Sequence, residues 1–187
     1  MKMTEVERAV IGFITGMPRC RTAWFAAYFD RLPGVCAYFE LLNGMKSKED
    51  FYQAMERDNY DHVINSDSGL FITDFQERWP DAKTVIVHRD PALVFASLSR
   101  YLEEQGFPAP SQDFLAEQAE AINSLEGLHV NFDEITERLQ EIHEYLVDVP
   151  FDPKYAEIMN QANIQLDHLT VDIDSYLLWT DFNQRTA

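Results

Sequence analysis

The sequence predicts an α/β fold, a three-layer α/β/α arrangement around a mainly parallel sheet. Three observations point there. Apolar strand-like runs alternate with helical stretches along most of the chain. Of these runs Ala9–Thr15 is almost continuously apolar, as a strand covered on both faces is, and Lys83–His88 is strongly apolar. Each of these two leads into a short turn rich in hydrogen-bond donors that opens a helix. At 187 residues, 46% of them hydrophobic, the chain is long enough for a single well-buried domain over residues 1–187.

Taken in order, Ala9–Thr15 is the first strand. A helix is predicted from Thr22 to Leu32, ended by Pro33-Gly34. Val35–Glu40 reads as the second strand. Ser47-Lys48-Glu49-Asp50 opens a helix with a capping Ser and early carboxylates. His62–Asn65 is a short strand, and Gly69–Trp79 is helical up to Pro80. Lys83–His88 is a strongly apolar strand, and Pro91 suits the first position of the helix after it. Pro108 and Pro110 mark a loop before a helix over Ser111–Leu125, capped by Ser111. Leu128–Phe132 is the last strand, followed by helices over Glu134–Leu146 and Tyr155–Gln161. Residues 164–187 give mixed signals.

The formal charge is −17, and it is unevenly placed: residues 101–187 hold 3 basic and 18 acidic side chains, against 12 and 14 in residues 1–100. Such a chain is a poor ligand for nucleic acid and is repelled by anionic membranes. No run is long enough to span a bilayer, and Glu5 and Glu7 spoil a signal-peptide n-region, so a reduced cytoplasm is expected. Cys20 and Cys36 make neither a disulfide framework nor a metal site. Cys20 is either a small packing residue or a thiol of lowered pKa.

The two donor-rich turns carry the chemistry. The first is Gly16-Met17-Pro18-Arg19-Cys20-Arg21-Thr22-Ala23-Trp24; the second is His88-Arg89-Asp90-Pro91, with Ser97 eight positions after Arg89. A strand, a tight turn and a helix start hold phosphate or sulfate with backbone N–H groups and the positive helix end. Two such turns on one sheet suit a ligand with two separate anionic ends. A nucleotide kinase would need Gly-x-x-x-x-Gly-Lys-Ser/Thr, and here both the second Gly and the Lys are missing.

These segments resemble the PAPS-dependent sulfotransferase family and its P-loop-like nucleotide-binding fold. The family's first motif, Pro-Lys/Arg-Ser-Gly-Thr-Thr-Trp/Leu, stands here as Pro18-Arg19-Cys20-Arg21-Thr22-Ala23-Trp24. Its second, Arg-Asn/Asp-Pro with a later Ser, stands as Arg89-Asp90-Pro91 and Ser97. A weaker likeness joins Asn131-Phe132-Asp133-Glu134-Ile135 to the family's Tyr-Glu-Asp-Leu segment. The resemblance covers roughly residues 9–155. It implies transfer of a sulfuryl group from PAPS to a hydroxyl or amine of a small-molecule or saccharide acceptor, with PAP as product. It implies that Arg19, Cys20, Arg21, Thr22, Ala23 and Trp24 wrap the 5′-phosphosulfate. Arg19 would stabilise charge on the bridging oxygen, Thr22 would supply a hydroxyl, and Trp24 would stack the adenine. Arg89 and Ser97 would bind the 3′-phosphate.

Several positions depart from the family. Arg21 replaces a Gly, so the loop is expected to avoid a positive φ there. Ala23 replaces a Thr. Asp67 stands where many members carry a catalytic His, which makes it the candidate general base, expected to be ionised beside the arginines. The Arg-Lys-Gly motif near the C-terminus of larger members is absent. A nucleotide-binding or interaction protein without catalysis is therefore the alternative of another class, and a nucleotide or small-molecule kinase the weaker enzymatic one. Other residues have plain readings beside functional ones: Trp24 as core filler, Asp67 as a turn residue, and His62 and His88 as structural, with His88 facing away from Arg89. Arg100, three residues after Ser97, is either a second 3′-phosphate ligand or a surface charge. Glu40 is either a solvated strand end or a residue of the acceptor cleft.

Overall fold

The computed structural model describes residues 9–56, 59–68 and 72–162. The start of the helix expected at Gly69 and the mixed segment 164–187 lie outside them. Five strands form one parallel sheet: β1 (Val10–Gly16), β2 (Val35–Phe39), β3 (His62–Asp67), β4 (Lys83–His88) and β5 (Leu128–Asn131), in the order β2-β3-β1-β4-β5. The described helices are α1 (Thr22–Phe29), α2 (Lys48–Met55), α3 (Ile72–Arg78), α4 (Pro91–Glu104), α5 (Gln112–Asn123), α6 (Leu139–Leu146) and α7 (Pro153–Gln161). This is the expected three-layer α/β fold.

The apolar pattern explains the layers. Phe13, Ile14, Val85, Ile86 and Val87 are wholly buried, as central strands covered on both sides require. Edge strand β5 alternates instead, with Val130 buried between exposed His129 and Asn131. Adjacent residues of a strand face opposite sides. Phe13 stacks on Phe75 of α3 at 5.7 Å, and Phe75 stacks on Phe51 of α2 at 4.6 Å. Gly12 faces the other layer, where a Cβ would meet Leu146 of α6 at 3.2 Å. Tyr28 of α1 meets His143 of α6 in that same layer. Thus α1 and α6 cover one face, and α2 and α3 the other.

The topology places the site. From β1 the chain leaves towards β2 on one side; from β4 it leaves towards β5 on the other. β1 and β4 are nevertheless neighbours, with Gly16 opposite Val87. In an open parallel sheet, a crevice opens beyond the strand ends at such a switch point. Both donor-rich turns begin there.

Two capping expectations hold: Ser47 Oγ accepts from the Asp50 N–H at 3.2 Å, and Ser111 Oγ from Phe114 at 3.4 Å. The Asp90 carboxylate also caps α4, accepting from the Ala92 N–H at 2.8 Å. The helix expected over Glu134–Leu146 is shorter. Phe132–Glu134 form a 3₁₀ turn, and α6 begins only at Leu139. Asn131 Nδ2 donates to Glu134 at 3.0 Å, and Arg138 donates to the His129 carbonyl at 2.9 Å. These local side-chain bonds hold the chain against the end of β5 in place of a first helical turn. β3 runs two residues past its expected end, to Asp67, because both neighbours continue to pair with it.

The α1–α6 contact carries a pH dependence. His143 is fully buried, and its Nε2 donates to the Val149 carbonyl at 2.6 Å. Its Nδ1 therefore accepts from the Tyr28 hydroxyl at 3.0 Å, which requires a neutral ring. Burial lowers the His143 pKa below its ordinary value. A group whose pKa is lower folded than unfolded stabilises the fold fully above its unfolded pKa and loses that contribution as pH falls. Stability should therefore decline as pH drops below about 6.5, where an unfolded His takes up its proton. Urea titrations at steps from neutral pH to about pH 5 should show this fall, and His143→Gln should flatten it. Equal slopes in both proteins would sink the assignment.

Candidate functional site

β1 ends at Gly16, where any Cβ would stand 2.7 Å from the Val87 carbonyl and 3.1 Å from Cys20 Cβ. That close approach of strand and turn is what glycine permits here. The turn then alternates in hand. Arg19 (φ 69°) and Arg21 (φ 63°) are left-handed, and Cys20 between them is not. Alternation of this kind points successive N–H groups to one side, forming a nest for an anion. The N–H groups of Cys20 through Trp24 find no acceptor among the described residues. Cys20, Thr22, Ala23 and Trp24 are buried, and buried N–H groups without acceptors are rare. The first turn of α1 carries no carboxylate to compete for them.

The positive φ at Arg21 corrects the sequence expectation. Arg21 occupies the position before α1 in the left-handed region, at a cost of about 1–3 kcal/mol for a non-glycine residue. Its guanidinium lies over the Trp24 ring at 4.5 Å, a cation–π contact that offsets part of this. Burial lowers its pKa. Arg19, Arg21 and Glu40 are the non-glycine residues with positive φ among those described, and all three line one cleft. Strain concentrated in this way is a mark of a functional site.

The cleft has a volume of about 550 Å³, the size of a small-molecule site. Arg19, Arg21, Arg89 and Arg100 line it, with Glu40 the carboxylate among its walls. A positive cleft in so acidic a chain thus gathers four arginines of residues 1–100. The two turns touch: Arg89 NH1 donates to the Arg19 carbonyl at 2.5 Å, and Arg19 Nε donates to Ser97 Oγ at 3.4 Å. Arg19 also lies over the Tyr101 ring at 5.2 Å, and Arg89 over Phe132 at 4.2 Å. Ser97 and Arg100 both reach the cleft from α4.

The structure thus brings Arg19, Arg21, Thr22, Ala23, Trp24, Arg89 and Ser97 to one cleft, and adds Arg100 and Glu40. Cys20 sits beneath it, fully buried. Burial pushes its thiol up to about 12, while Arg89 and the Met17 backbone pull less strongly the other way, so it stays protonated. Trp24 is 1% exposed, stacks on Tyr28 at 5.4 Å, and donates to the Met159 carbonyl of α7 at 2.8 Å. It serves the core as well as the cleft wall, and a base stacking on it would displace Arg21.

Asp67 is placed differently. It closes β3 beside Thr15, and it is not among the cleft's walls. Ser66, its neighbour, donates to the Thr22 carbonyl at 2.8 Å, so Asp67 faces the opposite side of the sheet with Asn65. Burial raises its pKa and Glu40 raises it further, against hydrogen bonds from Ser68 and Asn65. The charge acting on it is thus a carboxylate, not the arginines the sequence suggests. Glu40 stands on the cleft wall, where it accepts from Ser68 Oγ at 3.0 Å and Asn43 Nδ2 at 2.9 Å. Its signal in sequence was slight, since a strand-end carboxylate is usually solvated.

His88 lines a second cavity of about 510 Å³, with Arg89 and Phe132 standing between the two. Its Nε2 lies 2.7 Å from Nδ1 of His129, and the rings stack at 4.9 Å. His62 pairs with Asp148 at the start of β3, away from the strand ends that form the cleft. Among the described residues no His, Cys, Asp and Glu cluster could hold a metal, and no helix is long and apolar enough to cross a membrane.

No protein-family model matches the chain, and no curated protein matches it by sequence. Solved structures do. The mouse sulfotransferase SULT7A1 complexed with PAP matches over 82% of this chain, with 13% identity and a TM-score of 0.58. The chain spans 64% of that protein, less than two thirds of its length. A sulfotransferase from Alicyclobacillus acidocaldarius matches over 80% of this chain and 89% of its own, with 13% identity and a TM-score of 0.50. The chain therefore has the P-loop-like α/β fold that these sulfotransferases share.

Proposed function

We propose that the protein transfers a sulfuryl group from PAPS to a hydroxyl or amine of a small-molecule or saccharide acceptor, releasing PAP. The observation that carries this reading is the pair of anion positions on adjacent strands. The open N–H groups of Cys20–Trp24 lie at one, and Arg89, Ser97 and Arg100 at the other, within one cleft. Two anion positions in one cleft suit a nucleotide with a 5′-phosphosulfate and a 3′-phosphate. The fold shared with a PAP-bound sulfotransferase supports it.

In this reaction the acceptor oxygen or nitrogen bonds to sulfur as the bond from sulfur to the bridging oxygen breaks. Charge grows on the bridging oxygen, and the Arg19 guanidinium is the group to meet it. The loop N–H groups hold the non-bridging oxygens without having to reorient. The acceptor proton goes to a carboxylate, and Glu40 is the one on the cleft wall. Hydrogen bonds from Ser68 and Asn43 fix its orientation. Asp67 remains the second candidate, one strand face away. A binder without turnover is the second reading, favoured by Ala23, which supplies no hydroxyl where the family has Thr.

Thermal unfolding with nucleotides tests the reading. PAP at 100 times its Kd should raise Tm by about 5–10 °C, since a ligand of the folded state alone then adds about 2.7 kcal/mol. ATP with Mg²⁺ should do much less, because the loop lacks a kinase lysine. A large ATP shift without a PAP shift would move the assignment to a kinase.

A further inference from the structure

Among the described residues the Arg21 side chain has no ion-pair partner. Its guanidinium rests on the Trp24 ring at 4.5 Å. No acceptor among the described residues takes its N–H groups. Arg19 and Arg89 differ, since they bond to Ser97 and to the Arg19 carbonyl. The carboxylate on the cleft wall, Glu40, is bonded to Ser68 and Asn43 instead. Arg21 is half-buried, so it has given up part of its hydration for an aromatic face. It offers N–H donors arranged as a fork that matches phosphate or sulfate oxygens.

Its backbone adds an independent observation. At φ 63° and ψ 22°, Arg21 holds a position that glycine fills without strain. The core does not need the arginine side chain there, because Trp24 is already stacked on Tyr28 and bonded to Met159. The residue also belongs to the nest itself, so its side chain departs from beside the open N–H groups of Cys20–Trp24.

We propose that the Arg21 side chain is an anion ligand, leaving the Trp24 ring and closing on the 5′ phosphate or phosphosulfate held by the loop. This rests on the nucleotide reading above and deepens it. The loop then binds the 5′ group through a cation as well as through backbone N–H groups. The same movement uncovers the Trp24 ring, so 5′-anion binding and base stacking are coupled.

The test is calorimetric binding of PAP, 5′-AMP and 3′-AMP to the wild type, Arg21→Gln and Arg21→Gly. Gln keeps a planar group over Trp24 without charge. Gly accepts the left-handed backbone and keeps the loop. Both variants should lose roughly 10–100-fold in affinity for PAP and 5′-AMP, the scale of a hydrogen bond to a charged group. Affinity for 3′-AMP, which lacks the 5′ anion, should not fall in either variant, since neither keeps a guanidinium that the base must displace. Wild-type affinity of Arg21→Gln for PAP overturns the proposal, as does an equal loss for 3′-AMP or an unchanged 5′-AMP affinity in Arg21→Gly. In each of these the wild type still binds PAP, so the nucleotide reading stands. Failure of the wild type to bind any of the three overturns that reading, and the role of Arg21 with it.

Discussion

Replacing Arg19 by Ala is expected to slow sulfuryl transfer by roughly 10²–10³-fold, the cost of removing one preorganised charge-stabilising donor. PAP affinity should change far less. The Arg19 guanidinium meets a charge that grows only as the bond to the bridging oxygen breaks, so its loss falls on the transition state. Ala tolerates the left-handed φ of 69° no better and no worse than Arg, so the loop itself is not favoured or disfavoured by the change. Arg89→Ala should behave in the opposite way. It should weaken PAP binding by roughly 1.5–3 kcal/mol, as for one hydrogen bond to a charged group. The loss should lie at the upper end, because Arg89 also holds the Arg19 carbonyl and so pins the first turn to the second. Calorimetry beside a turnover assay separates the two. An Arg89→Ala protein with wild-type PAP affinity would refute the paired-anion site.

Glu40→Gln is expected to lower transfer by roughly 10²–10⁴-fold with PAP binding nearly unchanged, as for loss of a general base. Gln keeps the side-chain length and can still accept from Ser68, so the wall keeps its shape. Asp67→Asn should have the smaller effect. Its carboxylate faces the other side of the sheet, and burial together with Glu40 favours its protonated form. Single-turnover rates with each variant decide between them. Slow transfer in Asp67→Asn beside normal transfer in Glu40→Gln would return the role to Asp67, while unchanged rates in both would leave the acceptor proton to another group.

The strand runs and both motif turns were legible from local pattern. β1, β4 and the start of α4 fall where the apolar runs, Asp90 and Pro91 put them. Ser47 and Ser111 cap the helices they were expected to cap. Such features depend on residues close in sequence, and their energies are set before the chain is folded. The helix expected over Glu134–Leu146 is shorter because Asn131 and Arg138 bond to a neighbouring carboxylate and backbone carbonyl, which no apolar period reveals.

By itself, then, the sequence determined the α/β class and the residues of two anion-holding turns. It also separated a nearly charge-balanced N-terminal half from a strongly acidic remainder. Only the tertiary structure decided how these combine. The strand order makes β1 and β4 neighbours, so Arg89 reaches a carbonyl 70 positions away. The packed loop holds Arg21 at a φ that its own preference opposes, because many contacts outweigh one local strain. Strand alternation set Asp67 on one face and Ser66 on the other, and the end of β2 brought Glu40 to the cleft. Which carboxylate meets the arginines is a question of faces and distances, and these exist only once the sheet has formed.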